Sequence, residues 1–208
     1  MRQMINKLKE YNQRYMQNIS HGDEAAEEIF ELTDRRTALI LSAPHSTRSF
    51  VCKKEKPADL YTGALVQYVG EACSVSTLIR TKFTPYKVLI SDYIEEKGVQ
   101  NHYFLDIHGF NQDMDADICL GTGSWEAKEY PYLDKILKIA EKYTLKAAVN
   151  HPDYRGIHGL TGRYQKTFNK PNVIQMELQQ RLRDFYTNPE IVENITVPFL
   201  ADVIKVYN

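Results

Sequence analysis

The chain has 208 residues, 43% of them hydrophobic, with a formal net charge of -1. That is enough to bury a sizeable core, and a single domain over residues 1–208 is expected. Near-neutral charge gives no general attraction to nucleic acid or to an anionic membrane, so neither is expected as a partner. The three cysteines, Cys52, Cys73 and Cys119, are odd in number, far apart and without a Cys-x-x-Cys pair. This excludes a zinc knuckle or thioredoxin motif and reads as reduced, packed thiols. Met1 to Gly22 lacks an apolar core of signal-peptide length, and no apolar stretch could span a bilayer, so a cytoplasmic protein is expected.

In chain order, Ile5 to Leu32 reads as helix broken near Ser20-His21-Gly22-Asp23. Asp23 is the expected N-cap of the second part, with Glu24, Glu27 and Glu28 near its positive end. Thr37 to Ser42 follows as a short buried strand. Pro44 to Pro57 carries four lysines and arginines and reads as a surface loop. Leu60, Ala64, Leu65, Tyr68, Val69 and Ala72 have helical spacing, which predicts a helix over Ala58 to Cys73. Val75 to Lys82 reads as strand, and Tyr86 to Gly98 as a helix closed by its glycine. Strands are expected at His102 to Ile107 and at Ala116 to Leu120, the latter turning at Gly121-Thr122-Gly123. A helix over Tyr132 to Tyr143 and a strand over Leu145 to Val149 follow. His151 to Pro171, rich in Gly, Tyr, His and basic residues with weak periodicity, reads as a long irregular segment with a function. Val173 to Leu178 is the last strand and Pro189 to Tyr207 the closing helix.

This alternation predicts a three-layer α/β/α fold around a central mixed, largely parallel sheet, phosphorylase/hydrolase-like in class. Ligands in such folds sit beyond the carboxyl ends of the strands. Two apolar runs end there in a histidine: Leu39-Ile40-Leu41-Ser42-Ala43-Pro44-His45 and Tyr103-Phe104-Leu105-Asp106-Ile107-His108. A third run carries Glu177 between Met176 and Leu178, where an ionised carboxylate is costly to bury without a partner. Two imidazoles and a carboxylate are the parts of a mononuclear zinc hydrolase, and one Zn2+ per chain is expected. Asp106, two positions before His108 on the same side of a strand, can orient that imidazole from behind the metal. The plainer alternatives are a hydrogen-bonded loop histidine at 45, a sheet-edge pairing for Asp106 and an exposed strand face for Glu177.

Ser42-Ala43-Pro44-His45-Ser46, Asp106-Ile107-His108-Gly109 and Asp117-Ile118-Cys119-Leu120-Gly121-Thr122-Gly123 resemble motifs of the N-formylglutamate amidohydrolase family. Asn150, Tyr154-Arg155-Gly156, Arg163-Tyr164 and Gln175-Met176-Glu177-Leu178 follow in that family's order, so the resemblance spans about Leu39 to Arg181. It implies zinc held by His45 and His108, with Glu177 as general base. A carboxypeptidase-type first motif would place a glutamate three residues after the first histidine, where this chain has Arg48. The resemblance implies a downstream aspartate in that role, best matched by Asp59, with Glu55 as the alternative, and Asp59 could equally be a helix-start carboxylate. The resemblance also implies Arg155 and Arg163 as catalytic or substrate-gripping arginines, and Asn150, Arg48 and Tyr164 as substrate contacts. Where the formylglutamate enzymes carry an arginine- and asparagine-containing motif after the second strand, this chain has Arg80-Thr81-Lys82.

The expected activity is zinc-dependent hydrolysis of an amide next to a carboxylate, with an N-acyl amino acid, an N-formylglutamate-like molecule or a short peptide as substrate. Two alternatives stand beside it: a metallopeptidase on γ-glutamyl or cell-wall peptides, and a non-catalytic relative that binds a carboxylate.

Overall fold

The computed structural model describes residues 2–51, 53–111 and 114–207. Cys52, read above as a packed thiol, lies outside the described residues; Cys119 is buried, Cys73 half-buried, and both are free thiols. Among the described residues nine strands form the framework: β1 (Phe30–Thr33), β2 (Leu39–Ala43), β3 (Ser49–Val51), β4 (Lys54–Lys56), β5 (Ser76–Arg80), β6 (Tyr103–Phe110), β7 (Ile118–Gly121), β8 (Ala147–Val149) and β9 (Val173–Gln179). Seven of them make one sheet in the order β1-β5-β2-β6-β9-β7-β8, and β3 and β4 form a separate hairpin. Strands β5, β2, β6 and β9 run parallel to one another. β1 opposes β5 and β7 opposes β9, while β8 runs parallel to β7, so the sheet is mixed.

Helices cover both faces, because the strands are apolar on both sides. On one face Leu39, Leu41, Leu105, Ile107, Ile174 and Met176 join α1 (Arg2–Ser20), α2 (Thr62–Ala72), α4 (Leu133–Lys142) and α8 (Val197–Lys205) in the larger core cluster. On the other, Ile40, Leu78, Phe104 and Val173 pack against α3 (Ile90–Glu96) and α5 (Leu160–Phe168). Strand alternation then assigns the polar residues to faces. Ser42 shares a face with Ile40, Arg80 with Leu78, Asp106 and His108 with Phe104, and Gln175 and Glu177 with Val173. Apolar residues occupy this face at mid-sheet and polar residues succeed them toward the carboxyl ends. Two short α-helical turns, α6 (Gln180–Arg183) and α7 (Pro189–Ile191), lie between β9 and α8.

Several elements differ from the sequence expectation. Among the described residues no helix lies between Gly22 and Phe30; Phe30–Thr33 is instead an edge strand, with Phe30 opposite Arg80. Pairing with β5 and burial of Phe30 outweigh the helical propensity of the glutamate-rich stretch, and Asp23 accepts a local bond from the Ala25 N–H at 3.0 Å and faces Arg14 Nε at 3.5 Å instead of capping a helix. The loop after Pro44 is not wholly at the surface. Ser46, Thr47 and Ser49 are buried, and the Ser46 hydroxyl donates to the carbonyl oxygens of Ala43 and Arg80. Part of the segment expected to be irregular is helix α5. Its buried residues, Leu160, Thr161, Gly162, Tyr164 and Gln165, include three that carry little hydrophobic signal. The helix after Tyr86 begins only at Ile90. The closing helix contains a π turn at Val192–Thr196, just before Pro198, which has no N–H to donate. Among the described residues no helix is long and apolar enough to cross a membrane.

Candidate active site

The register of the parallel strands assembles the centre. β2 places Ser42 beside Asp106 on β6, and β6 places His108 beside Glu177 on β9. The Ser42 hydroxyl donates to Asp106 Oδ1 at 2.7 Å, and Asp106 Oδ2 lies 2.9 Å from His108 Nε2. The other ring nitrogen, Nδ1, lies 3.0 Å from Asp59 Oδ2. With a carboxylate at each nitrogen, both ring nitrogens donate, as they do in an imidazolium.

Asp59 reaches the centre because the chain does not begin α2 where the spacing suggested. Its N–H donates to the His45 carbonyl at 2.8 Å, its own carbonyl accepts from the Thr62 hydroxyl at 2.7 Å, and Tyr61 turns with φ 75°. The carboxylate thus points inward, buried, rather than serving as an exposed helix-start charge. His45 stands just beyond β2, its Nδ1 2.9 Å from the Ser49 hydroxyl and its ring centroid 5.1 Å from that of His108. Lys56, at the end of β4, approaches the two Asp59 oxygens at 3.3 and 3.4 Å. Gln175, two residues before Glu177 on the same face, donates to Glu177 Oε1 at 2.8 Å.

Burial and charge act in opposite directions on these groups. Burial disfavours a charged His108, yet Asp106, then Asp59 and Glu177, outweigh it and push its pKa up to about 10. Burial pushes Asp59 up, but the His108 bond and the nearby Lys56 and His45 hold it well below the usual carboxylate range. His45 is held neutral, first by burial and then by Lys56, with His108 and Arg80 adding to the effect against Asp59. Glu177 is raised, chiefly by burial, with Asp59 and Asp106 supporting the shift and His108 opposing it.

The donor set suits a zinc ion. His45 has its Nδ1 on Ser49 and its Nε2 available, while His108 Nδ1 and Asp59 Oδ2 adjoin each other. Asp106 buttresses the far side of His108, as carboxylates do behind metal-binding imidazoles. In the present packing His108 and Asp59 are bonded to each other. Among the described residues no group of three or more His, Cys, Asp or Glu side chains is already disposed to hold a metal. The chemistry fits once His108 gives up its Nδ1 proton and its bond to Asp59 opens.

The cleft above this centre has a volume of about 250 Å³, with His45, His108, Lys56, Arg155, Gln175 and Glu177 among its walls. Of the sequence-predicted residues, His45, Asp59, Asp106, His108 and Glu177 converge here. Arg155 lines the cleft and braces it, donating through Nε to the Gly123 carbonyl at 2.8 Å. Arg163 lines an adjoining recess.

Four expectations are corrected. Tyr164 is fully buried against Phe104 and Phe168, with its hydroxyl on the Gln100 carbonyl, so it is a core residue rather than a substrate contact. Asn150 turns its amide onto Thr122, accepting from the Thr122 N–H at 2.9 Å, and so fixes the Gly121-Thr122-Gly123 turn. Arg48 pairs with Glu55 and donates to the Ile19 carbonyl at 2.8 Å, which directs it toward the end of α1. That pair also removes Glu55 from the centre, where Asp59 is the carboxylate that meets His108 Nδ1. Lys56, Gln175 and Arg183 carry no role in the sequence reading, although Gln175 stands in the motif that ends on Glu177 and Leu178. Gln175 was legible from the i, i+2 alternation with Glu177, but no sequence signal marked the other two.

No protein-family model matches the chain, and no curated protein matches it in sequence. Solved structures that share its fold include an N-formylglutamate amidohydrolase from Ralstonia eutropha JMP134, with a TM-score of 0.54 and 15% identity over 85% of this chain and 98% of that one. A bacteriophage poly-gamma-glutamate hydrolase aligns with a TM-score of 0.50 and 14% identity over 88% of each chain. The gene product Atu2144 from Agrobacterium tumefaciens aligns at 0.52 and 12% identity over 86% and 93%. The resemblance to N-formylglutamate amidohydrolases is thus present in the fold itself, including the mixed, mostly parallel sheet between helices.

Proposed function

We propose that this protein is a zinc-dependent hydrolase of an amide bond adjacent to a carboxylate, acting on a small carboxylate-bearing molecule or a short peptide. One observation carries the reading: His45, His108 and Glu177 line one cleft of about 250 Å³ at the carboxyl edge of the sheet, with Asp59 against His108. The fold it shares with an N-formylglutamate amidohydrolase supports hydrolysis of an amide. A zinc ion held by His45, His108 and Asp59 would supply Lewis-acid polarisation of the carbonyl and a water of lowered pKa.

The chain's own groups do the rest. Glu177 accepts the proton of the attacking water and delivers it to the leaving nitrogen. Its raised pKa brings it closer to the neutral range where such a base works best. Gln175 holds one carboxylate oxygen at 2.8 Å, leaving the other to face the reacting atoms. Arg155, braced on Gly123, offers its outer nitrogens to the developing oxyanion or to a substrate carboxylate.

Glu177→Gln is expected to lower turnover of N-acyl amino acids by roughly 10²–10⁴-fold while about one zinc per chain remains by elemental analysis. Retained turnover would remove the role of Glu177, and absence of zinc from protein loaded with the metal would remove the hydrolase reading. The poly-gamma-glutamate hydrolase fold neighbour favours γ-glutamyl peptides as the second substrate class. Release of product from γ-glutamyl oligomers, but not from N-acyl amino acids, would select it.

A further inference from the structure

We infer that Lys56 competes with the metal ion for Asp59 and so sets how tightly the centre is loaded. The inference rests on the metal-binding part of the proposed function, and not on the substrate or the reaction. Lys56 ends β4, and its Nζ lies 3.3 Å from Asp59 Oδ1 and 3.4 Å from Asp59 Oδ2. Both oxygens of the carboxylate assigned to the ion therefore face an ammonium. Asp59 is buried, so solvent does little to screen that attraction. The hairpin cannot drift from this position, because the same rung is pinned on its other strand. Ser49 is the register partner of Lys56, and its hydroxyl lies 2.9 Å from His45 Nδ1. One rung thus reaches two of the three proposed ligands. From outside, Arg48 pairs with Glu55, and its backbone N–H donates to the Ser20 carbonyl at 2.8 Å, which ties the hairpin to the end of α1.

The two contacts of the rung act in opposite directions. Ser49 engages one nitrogen of His45 and leaves Nε2 for the ion, which supports binding. Lys56 opposes it. An ammonium and a divalent ion on one carboxylate repel, and at contact distance the repulsion exceeds a tenfold change in affinity even in the dielectric of water. Of the two groups that touch the Asp59 carboxylate, His108 becomes a ligand by losing its Nδ1 proton. A charged ammonium has no lone pair to offer and can only be displaced. Displacement is open to it, since the flexible four-carbon stem of Lys56 lines the cleft that Glu177 also walls. Loading is therefore an exchange of one cation for another at Asp59. The centre binds zinc less tightly than its donors alone would allow, and Lys56 is the positioning residue that sets the difference.

Zinc affinity of the full chain, measured at neutral pH by competition with a chelating dye, tests the competition without turnover. Lys56→Met is expected to bind zinc roughly tenfold or more tightly than wild type. Lys56→Arg, which keeps the charge, is expected to stay close to wild type. A residue that merely shaped the site would give the opposite sign, since its loss would weaken binding. Equal or weaker binding by Lys56→Met overturns the inference and leaves the metal site standing, as does an equal gain in Lys56→Arg. Should Lys56→Met fail to fold, Lys56→Gln carries the same expectation and the same power to overturn it. No zinc bound by any of these proteins removes the metal site and the competition with it. Tighter binding by Lys56→Met, in protein that hydrolyses no amide, keeps the competition and rejects the reaction.

Discussion

Asp106 and His108, two positions apart on one strand, are joined by a 2.9 Å contact between Oδ2 and Nε2. The contact fixes which ring nitrogen faces the cleft. Ser42 holds the other Asp106 oxygen at 2.7 Å, so the carboxylate cannot rotate away. Asp106→Asn keeps the shape but loses the charge behind the imidazole. Zinc affinity, measured by competition with a chelating dye, is expected to fall roughly 10- to 100-fold, as for other carboxylates behind metal-bound histidines. Unchanged affinity would show that Asp106 does not orient a ligand.

Arg183 is the fastener beneath the site. Its guanidinium is buried and donates to the carbonyls of Leu178 at 3.2 Å, Phe110 at 3.2 Å and Leu60 at 2.6 Å, and to Asn111 Oδ1. It thereby ties the ends of β6 and β9 to the segment that carries Asp59. Arg183→Met leaves those carbonyls without a donor, and each unsatisfied buried group costs about 1–3 kcal/mol. A loss of at least about 3 kcal/mol is expected in urea unfolding, together with weaker zinc binding as Asp59 loses its support. A change below about 1 kcal/mol would show that the contacts matter no more than a surface ion pair.

Tyr164 separates the sequence reading from the structural one. Its hydroxyl meets the Gln100 carbonyl inside the core. Tyr164→Phe is expected to cost about 1–3 kcal/mol of stability and to leave KM for any accepted substrate unchanged. A raised KM with unchanged stability would return Tyr164 to the substrate site.

Alkaline pH should weaken the fold. Tyr130 and Tyr207 are buried with their hydroxyls 2.6 Å apart, and burial pushes both phenols above their ordinary pKa of about 10. For an acid raised in the folded state, the stabilisation is fully present below the unfolded pKa. It declines as pH rises above about 10 toward the folded value. Urea midpoints at pH 8, 9, 10 and 11 are therefore expected to drop over the last two steps, with a smaller drop in Tyr207→Phe. A slope identical in the variant would assign the effect to other groups.

The sequence by itself determined the central strands β2, β5, β6 and β9 and the chemistry at their ends. Apolar runs such as Leu39 to Ala43 and Val173 to Leu178 are buried on both faces, so composition alone marks them. His45, His108 and Glu177 stand out because each is a polar interruption or terminus of such a run. The i, i+2 rule placed Asp106 with His108. What the tertiary structure decided was which carboxylate and which arginine belong to the cleft. Asp59 rather than Glu55 turns inward because backbone bonds to His45 and Thr62 aim it there, while Arg48 draws Glu55 away. Arg80, ordinary in sequence, becomes a buried cation because β1, an unexpected edge strand, brings Phe30 beneath its guanidinium. Tyr164 and Asn150 lay in motifs that looked functional, yet their polar atoms are taken by Gln100 and Thr122. A strand's periodicity is a local property and survives in the sequence. The pairing of one charge with another across 40 or more residues depends on where both backbones arrive, and only the folded chain fixes that.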